Sequence, residues 1–282
     1  MEDKNLFDFD FSNKESEVSK IVFFDTETTG SKDDDEIIEI GAIVEDINGN
    51  LIEYFDELCS SSKLIHPEAM ATHGIRNEDI EGKKSFKDSK FYKSLQELNS
   101  QDNYLIAHNM PFDLGKLEYY GFRANIKLID TLQCAKHLFE LGEILGSYEY
   151  ELPNYKLQTF RYILFSKEAE EAEASRFKIS IKAHSALSDV VILKMFFNEL
   201  LKRVDITDKK EALDKLVELS SKPVLVKQFN FGKYKGKKIA EVLEFDRGYL
   251  EWLYRDIKKR KAANESIDEN MYATLKELLE DI

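Results

Sequence analysis

The sequence predicts an α/β domain built on a mixed sheet, followed by a small α+β module. Three observations carry this. Short apolar runs bounded by polar turns crowd the front of the chain. Segments of helical period then alternate with further short apolar runs. A composition break at Arg203 to Thr207 precedes a last stretch with its own strand, basic turn and helices.

The elements follow in order. Lys20 to Phe24, KIVFF, reads as a strand buried on both faces and ending at Asp25. Ile37 to Val44, IIEIGAIV, reads as a second strand, and Asn48-Gly49-Asn50 as a hairpin turn into a third, LIEYF. Pro67-Glu68-Ala69 can open a short helix, and Phe86 to Leu98 has helical spacing. Tyr104 to Ala107 is a short strand, Phe112 to Tyr120 a helix ending at Gly121, and Lys127 to Ile129 another strand with Asp130 at its end. Thr131 sits where a helix cap is useful. Leu157 to Phe165 and Leu187 to Val204 read as helices, and residues 167 to 178, KEAEEAEASRFK, as solvated surface. The organisation expected is a mobile arm over residues 1–18, a first domain over 19–203 and a small module over 208–282.

Composition bounds the class. Thirteen Tyr and 19 Phe can fill a substantial core, while only 4 Pro and 12 Gly argue against a fibrous or linker-rich chain. Cys59 and Cys134 are far apart and no CxxC occurs, which argues against a zinc finger or a disulfide scaffold. The acidic start, MEDKNLFDFDF, lacks the pattern of a secretory signal, so a cytoplasmic protein is expected. No apolar run approaches the ~18 residues a membrane span needs. Net charge is -14, which counts against tight non-specific binding of nucleic acid. From Ser221 onward, however, 13 Lys and Arg stand against 11 Asp and Glu, so the last quarter is the less repulsive part.

Three local patterns carry chemistry. In DTETTG, Asp25 and Glu27 alternate with Thr26 and Thr28, so the two carboxylates share one strand face. Side by side they repel each other unless a proton or a hard cation intervenes. In AHNMPFD, Asp113 falls in the first turn of a helix, where on its own it reads as a favourable acidic residue near a helix N-terminus. In HSALSD, His184 precedes Asp189 by five positions, and Asp189 lies one turn into a long helix. Taken singly, each pattern has an ordinary structural explanation.

Together, FFDTETTG, AHNMPFD and AHSALSD closely resemble the motifs of the proofreading-type 3'-5' exonuclease superfamily with its Asp-Glu-Asp-Asp-His set. His73 to Ile75 and Ile129 to Thr131 resemble further recurrent segments, and the similarity covers roughly residues 19 to 203. The resemblance implies a ribonuclease H-like fold. It also implies a catalytic set of Asp25, Glu27, Asp113, His184 and Asp189, with the four carboxylates as metal ligands. Two Mg2+ ions are the expected cofactors, with Mn2+ a possible substitute. Asp25 would bridge the ions, Glu27 and Asp189 would hold one and Asp113 the other. His184 would act as general base toward the attacking water. The Thr26 to Thr28 backbone would meet the 3'-terminal nucleotide, and Asn109 and Phe112 would organise its sugar and base. Core packing is the alternative for Phe112.

The segment FGKYKGKKIAEVLEFDRGYLEWLYR resembles a module that follows domains related to exodeoxyribonuclease X, which favours DNA as substrate. Lys233, Lys235, Lys237 and Lys238, with Tyr234, Phe229 and Phe231, form a basic stretch with aromatic interleaving. It can touch phosphate and stack bases, or it can be a hairpin exposing lysines with the aromatics packed inward. The partners expected are the 3' end of a nucleic acid and a replication or repair protein. An exoribonuclease and a non-catalytic binding module remain open alternatives, and oligomeric state is not legible.

Overall fold

A computed structural model describes residues 18–177, 179, 185–229, 231–263, 265 and 267–280. Apart from Val18, the expected N-terminal arm lies outside the described residues. Strand β1 (Lys20–Thr28), β2 (Ile37–Asp46) and β3 (Leu51–Leu58) form an antiparallel meander. Asp46 closes its second turn by accepting from the Asn48 and Asn50 amides at 2.9 and 2.8 Å. The first strand outruns its apolar stretch, because pairing continues from Asp25 with Gly41 to Glu27 with Glu39. Backbone hydrogen bonds thus extend the strand through residues whose side chains do not ask for burial.

Between β3 and β4 (Tyr104–Ala107) lie α1 (Pro67–His73), α2 (Asn77–Ile80) and α3 (Lys90–Leu98). Helix α4 (Met110–Tyr119) then leads to β5 (Lys127–Asp130) and α5 (Thr131–Leu138). Asp130, rather than Thr131, caps α5, accepting from the Leu132 amide at 2.9 Å. Thr131 instead donates to the Ala107 carbonyl. Among the described residues the main sheet has five strands in the order β3-β2-β1-β4-β5, with β4 and β5 parallel to β1. This is the mixed sheet of a ribonuclease H-like core.

A small hairpin, β6 (Ile144–Leu145) and β7 (Tyr150–Glu151), precedes α6 (Leu157–Leu164), α7 (Lys167–Ser175), α8 (Ala186–Val204) and α9 (Lys209–Ser221). Strand alternation divides the core. Phe23, Ile43 and Ile106 face α5, α6, α8 and α9, while Phe24, Ala42 and Leu105 face α3 and α4. Helix α9 contributes Leu213 and Leu216 to the first of these clusters and packs with β5, α5 and α8. Cys59 and Cys134 are buried free thiols in opposite clusters, each pushed up to about 12 by burial.

Helices α10 (Ile239–Phe245), α11 (Arg247–Ala262) and α12 (Glu269–Glu280) close a separate core around Phe229, Tyr234, Leu250 and Leu275. Its strand component is a bridge between Gln228 and Lys238. Asn270 and Gln133 exchange amide hydrogen bonds at 3.0 and 3.2 Å, joining α12 to α5. Among the described residues no helix is long and apolar enough to cross a membrane.

Gly41 fixes the seat of α8. A Cβ at this position would lie 2.2 Å from the Leu187 amide nitrogen and 2.3 Å from the Ala186 carbonyl carbon. Both obstacles are backbone, so neither can swing aside. A glycine inside a strand marks such a close approach. The G41A protein is expected to lose about 1–3 kcal/mol of stability, the usual cost of overpacking. Urea unfolding followed by far-ultraviolet circular dichroism measures this; an unchanged midpoint and slope would show that α8 does not rest on β2 as described.

Candidate active site

The C-terminal end of β1 carries Asp25 and Glu27 on the face that α8 covers, continuing the line of Ile21 and Phe23. Because Gly41 admits the start of α8, Asp189 in the first turn comes down over both carboxylates. One carboxylate oxygen from each of Asp25, Glu27 and Asp189 lies within 4.8 Å of the others. Asp189 is almost fully buried, whereas Asp25 and Glu27 keep partial contact with solvent.

Asp113 arrives from the other side of the sheet. Asn109 turns the chain out of β4 in a left-handed conformation, φ 77°, and its amide donates to Asp130 at 3.0 Å. Helix α4 then starts with Asp113 in its first turn, buried. The Thr26 hydroxyl donates to Asp113 at 2.6 Å. Thr26 therefore lies on the strand face opposite Asp25, as alternation requires, and its hydroxyl orients a carboxylate there. Thr28 donates to the Gly30 carbonyl at 2.7 Å and shapes the following loop. Both threonine side chains are buried and internally bonded.

Electrostatics follow from crowding. Burial raises Asp25 well above the ordinary carboxylate range, and Asp113, Asp189, Glu27 and Glu39 raise it further. Burial, then Glu39, Asp189 and Asp113, lift Glu27 to about 8. Burial lifts Asp113 to about 7 against the opposing hydrogen bond from Thr26. An all-carboxylate donor set that resists ionising when empty suits a hard divalent cation with oxygen ligands.

Four supporting residues escape the sequence patterns. Glu39 lies directly opposite Glu27 and accepts from the Ala186 amide at 3.0 Å. Gly41, Asp130 and Gln158 complete the set; Gln158 donates to Asp189 at 2.6 Å. Three signals mark the first three: a lone charge inside the apolar run IIEIGAIV, a glycine inside the same strand, and the place of Asp130 at a strand end within the Ile129 to Thr131 segment. Nothing local marks Gln158.

Other expected residues are placed as follows. His184 lies outside the described residues. Asn109 is exposed beside Asp113, and Phe112 is half-buried with the Lys116 ammonium 5.3 Å from its ring centre. Lys233, Lys235, Lys237 and Lys238 are exposed, with Lys233 3.1 Å from Asp246. Phe229 and Tyr234 pack inward, and Phe231 remains exposed, so the aromatic interleaving is largely core. The segment read as solvated surface also departs from expectation, since Glu170 is buried against Arg161.

Residues 22–197 match the Exonuclease family, and residues 229–258 match the Exodeoxyribonuclease X-like C-terminal family. Exodeoxyribonuclease 10 of Escherichia coli is 26% identical over 260 residues, spanning 91% of this chain and 97% of its own. The PolC-type DNA polymerase III of Streptococcus mutans is 29% identical over 171 residues, 53% of this chain but 11% of its own length. Exonuclease I of E. coli in complex with a dT13 oligonucleotide shares the fold at a TM-score of 0.51 and 18% identity, covering 70% of this chain and 43% of that one. With the Exonuclease match spanning well over half of its length, the chain belongs to the DEDD-type 3'-5' exonuclease family and carries an exodeoxyribonuclease X-like C-terminal module.

Proposed function

We propose that this exonuclease acts on DNA, releasing nucleoside 5'-monophosphates one at a time from the 3' end with Mg2+ as cofactor. The observation that supports it most is the meeting of Asp25, Glu27 and Asp189 oxygens within 4.8 Å beside buried Asp113. The similarity to exodeoxyribonuclease 10 across both domains favours DNA.

Divalent ions bound there would supply positive charge against the phosphate and acidify the attacking water. The chain's own residues do the rest. Asp25, Glu27 and Asp189 hold the cations, and Asp113, aimed by Thr26, completes the set. His184, five positions before Asp189, takes the proton of the attacking water. The side chains of Thr26 and Thr28 are committed internally, which leaves the strand backbone to meet the 3'-terminal nucleotide. Asn109 and Phe112 flank that position on the α4 side. In the C-terminal module, Lys235, Lys237 and Lys238 with exposed Phe231 offer phosphate and stacking contacts.

The decisive experiment digests matched DNA and RNA oligonucleotides, single-stranded and duplex, each end labelled separately, with and without Mg2+. Loss of label from the 3' end of DNA, abolished by EDTA and reduced at least ~1,000-fold in D25A, is expected. Digestion of RNA alone would replace the DNA reading, and full activity in D25A would remove the site assignment.

Proton linkage gives a second outcome. Glu27 titrates at about 8 in the folded chain against an ordinary 4.5, so its folded-state pKa is raised. Its contribution to stability is complete below the unfolded pKa and is lost as pH rises through the folded value. The metal-free protein is therefore expected to melt at progressively lower temperature from pH ~5 to ~8, and E27Q to flatten this dependence. Mg2+ should raise the melting temperature more at pH 8 than at pH 6, because ligand carboxyls must shed protons to bind it. Differential scanning calorimetry in EDTA and in Mg2+ measures both.

For the basic stretch, replacing Lys233, Lys235, Lys237 and Lys238 together by Gln should weaken DNA binding and flatten its dependence on log salt. Fluorescence anisotropy in Ca2+ at several salt concentrations reads this out; superimposable slopes would assign these lysines to surface solvation alone.

A further inference from the structure

Behind Asp189 runs a chain of polar contacts that leads away from the carboxylate cluster to α7. Gln158 and Arg161 lie three residues apart and share one face of α6. The Gln158 amide nitrogen donates to Asp189 at 2.6 Å, and its carbonyl accepts from the Arg161 guanidinium at 3.2 Å. Arg161 in turn forks onto Glu170 of α7, with bonds of 2.8 and 2.6 Å. Arg161 and Glu170 are 8% and 6% exposed, so the pair is a desolvated one. Phe160 of α6 stacks on Phe196 of α8 at 4.2 Å, which fixes the two helices against each other.

The sense of each bond is set by chemistry. A guanidinium has donors only, so Gln158 must turn its carbonyl oxygen toward Arg161. Its NH2 group is thereby left facing Asp189, where it can only donate to the carboxylate. An ionised Asp189 asks for the same orientation, and Arg161 holds the amide in it even when Asp189 carries a proton and could donate to the carbonyl instead. Stability alone gives a weak reason for the ion pair, because a buried pair is about as stable as well-packed apolar residues of the same volume. Directing Gln158 is something apolar residues cannot do.

We propose that Gln158 is a positioning residue for Asp189, and that the Arg161–Glu170 pair fixes the direction of its amide, so that α7 sets how tightly the carboxylate cluster holds a divalent cation. The proposal rests on Asp189 being a cation ligand. A carboxylate already held in its binding orientation loses less freedom when the ion arrives. Groups that orient a ligand in this way are typically worth about 10- to 100-fold in metal affinity.

Mn2+ binding to the full-length protein without DNA, followed by the electron paramagnetic resonance of the free ion, tests this apart from turnover. Four proteins are compared: wild type, D189N, Q158M and the double variant R161M/E170M. Q158M keeps the shape of the side chain and removes the donor. The double variant removes both charges together, leaving neither buried alone. D189N is expected to lose most of the affinity. Q158M should bind Mn2+ about 10- to 100-fold more weakly at an unchanged melting temperature, and R161M/E170M should weaken it in the same direction. Wild-type affinity in Q158M, with D189N impaired, overturns the positioning role. Wild-type affinity in D189N overturns the ligand reading beneath it. Should R161M/E170M fail to fold, Q158M alone decides.

Discussion

The fold is organised around carboxylates that repel one another. Asp25, Glu27, Asp113, Asp189 and Glu39 are gathered at one end of a sheet, and burial, with repulsion from neighbouring carboxylates added to it, lifts every one of the four whose titration is resolved. Such a gathering costs free energy in the empty protein, so the surrounding structure must impose it. Backbone does most of that imposing. The pairing of β1 with β2 forces Glu27 opposite Glu39, and the bare Cα of Gly41 lets the first turn of α8 press onto the sheet. Hydrogen bonds from Thr26, Gln158 and the Ala186 amide then aim individual carboxylates.

Geometry of this kind explains why the motifs are short and far apart in sequence. Each lies where a regular element begins or ends: Asp25 near the end of a strand, Asp113 and Asp189 in the first turn of a helix. Side chains at such ends stand on a rigid scaffold. The long apolar interiors of β1 and α8 supply the rigidity, with Phe23 packed edge-on against Phe197 at 5.2 Å.

Much of this was legible beforehand, because it rests on periodicity and on local motif context. Alternation placed Asp25 with Glu27, and the apolar runs placed the meander. What was not legible depends on contacts between distant segments. Glu39 and Gly41 matter only once α8 arrives 147 residues later in the chain at Ala186. Gln158 and Arg161 look like ordinary helix-surface residues until Asp189 and Glu170 meet them. The acidic segment around Glu170 misled for the same reason, since composition alone cannot distinguish a charge facing water from one facing a guanidinium. Phe229 and Tyr234 could be read either as a stacking stripe or as packed inward, and a core of helices closes over them, as the second reading has it.

The junction of α12 with α5 is made of uncharged amides. Gln133 and Asn270 bond each other, Gln133 also reaches the Lys222 carbonyl at 2.7 Å, and Asn270 accepts from the Val224 amide at 2.7 Å. These amide bonds have no counterions to release and no proton to gain or lose. They stay fastened through swings of ionic strength that strip a polyanion from surface lysines. The attachment of the C-terminal helices to the first domain is thus independent of the charge on the basic turn that precedes them.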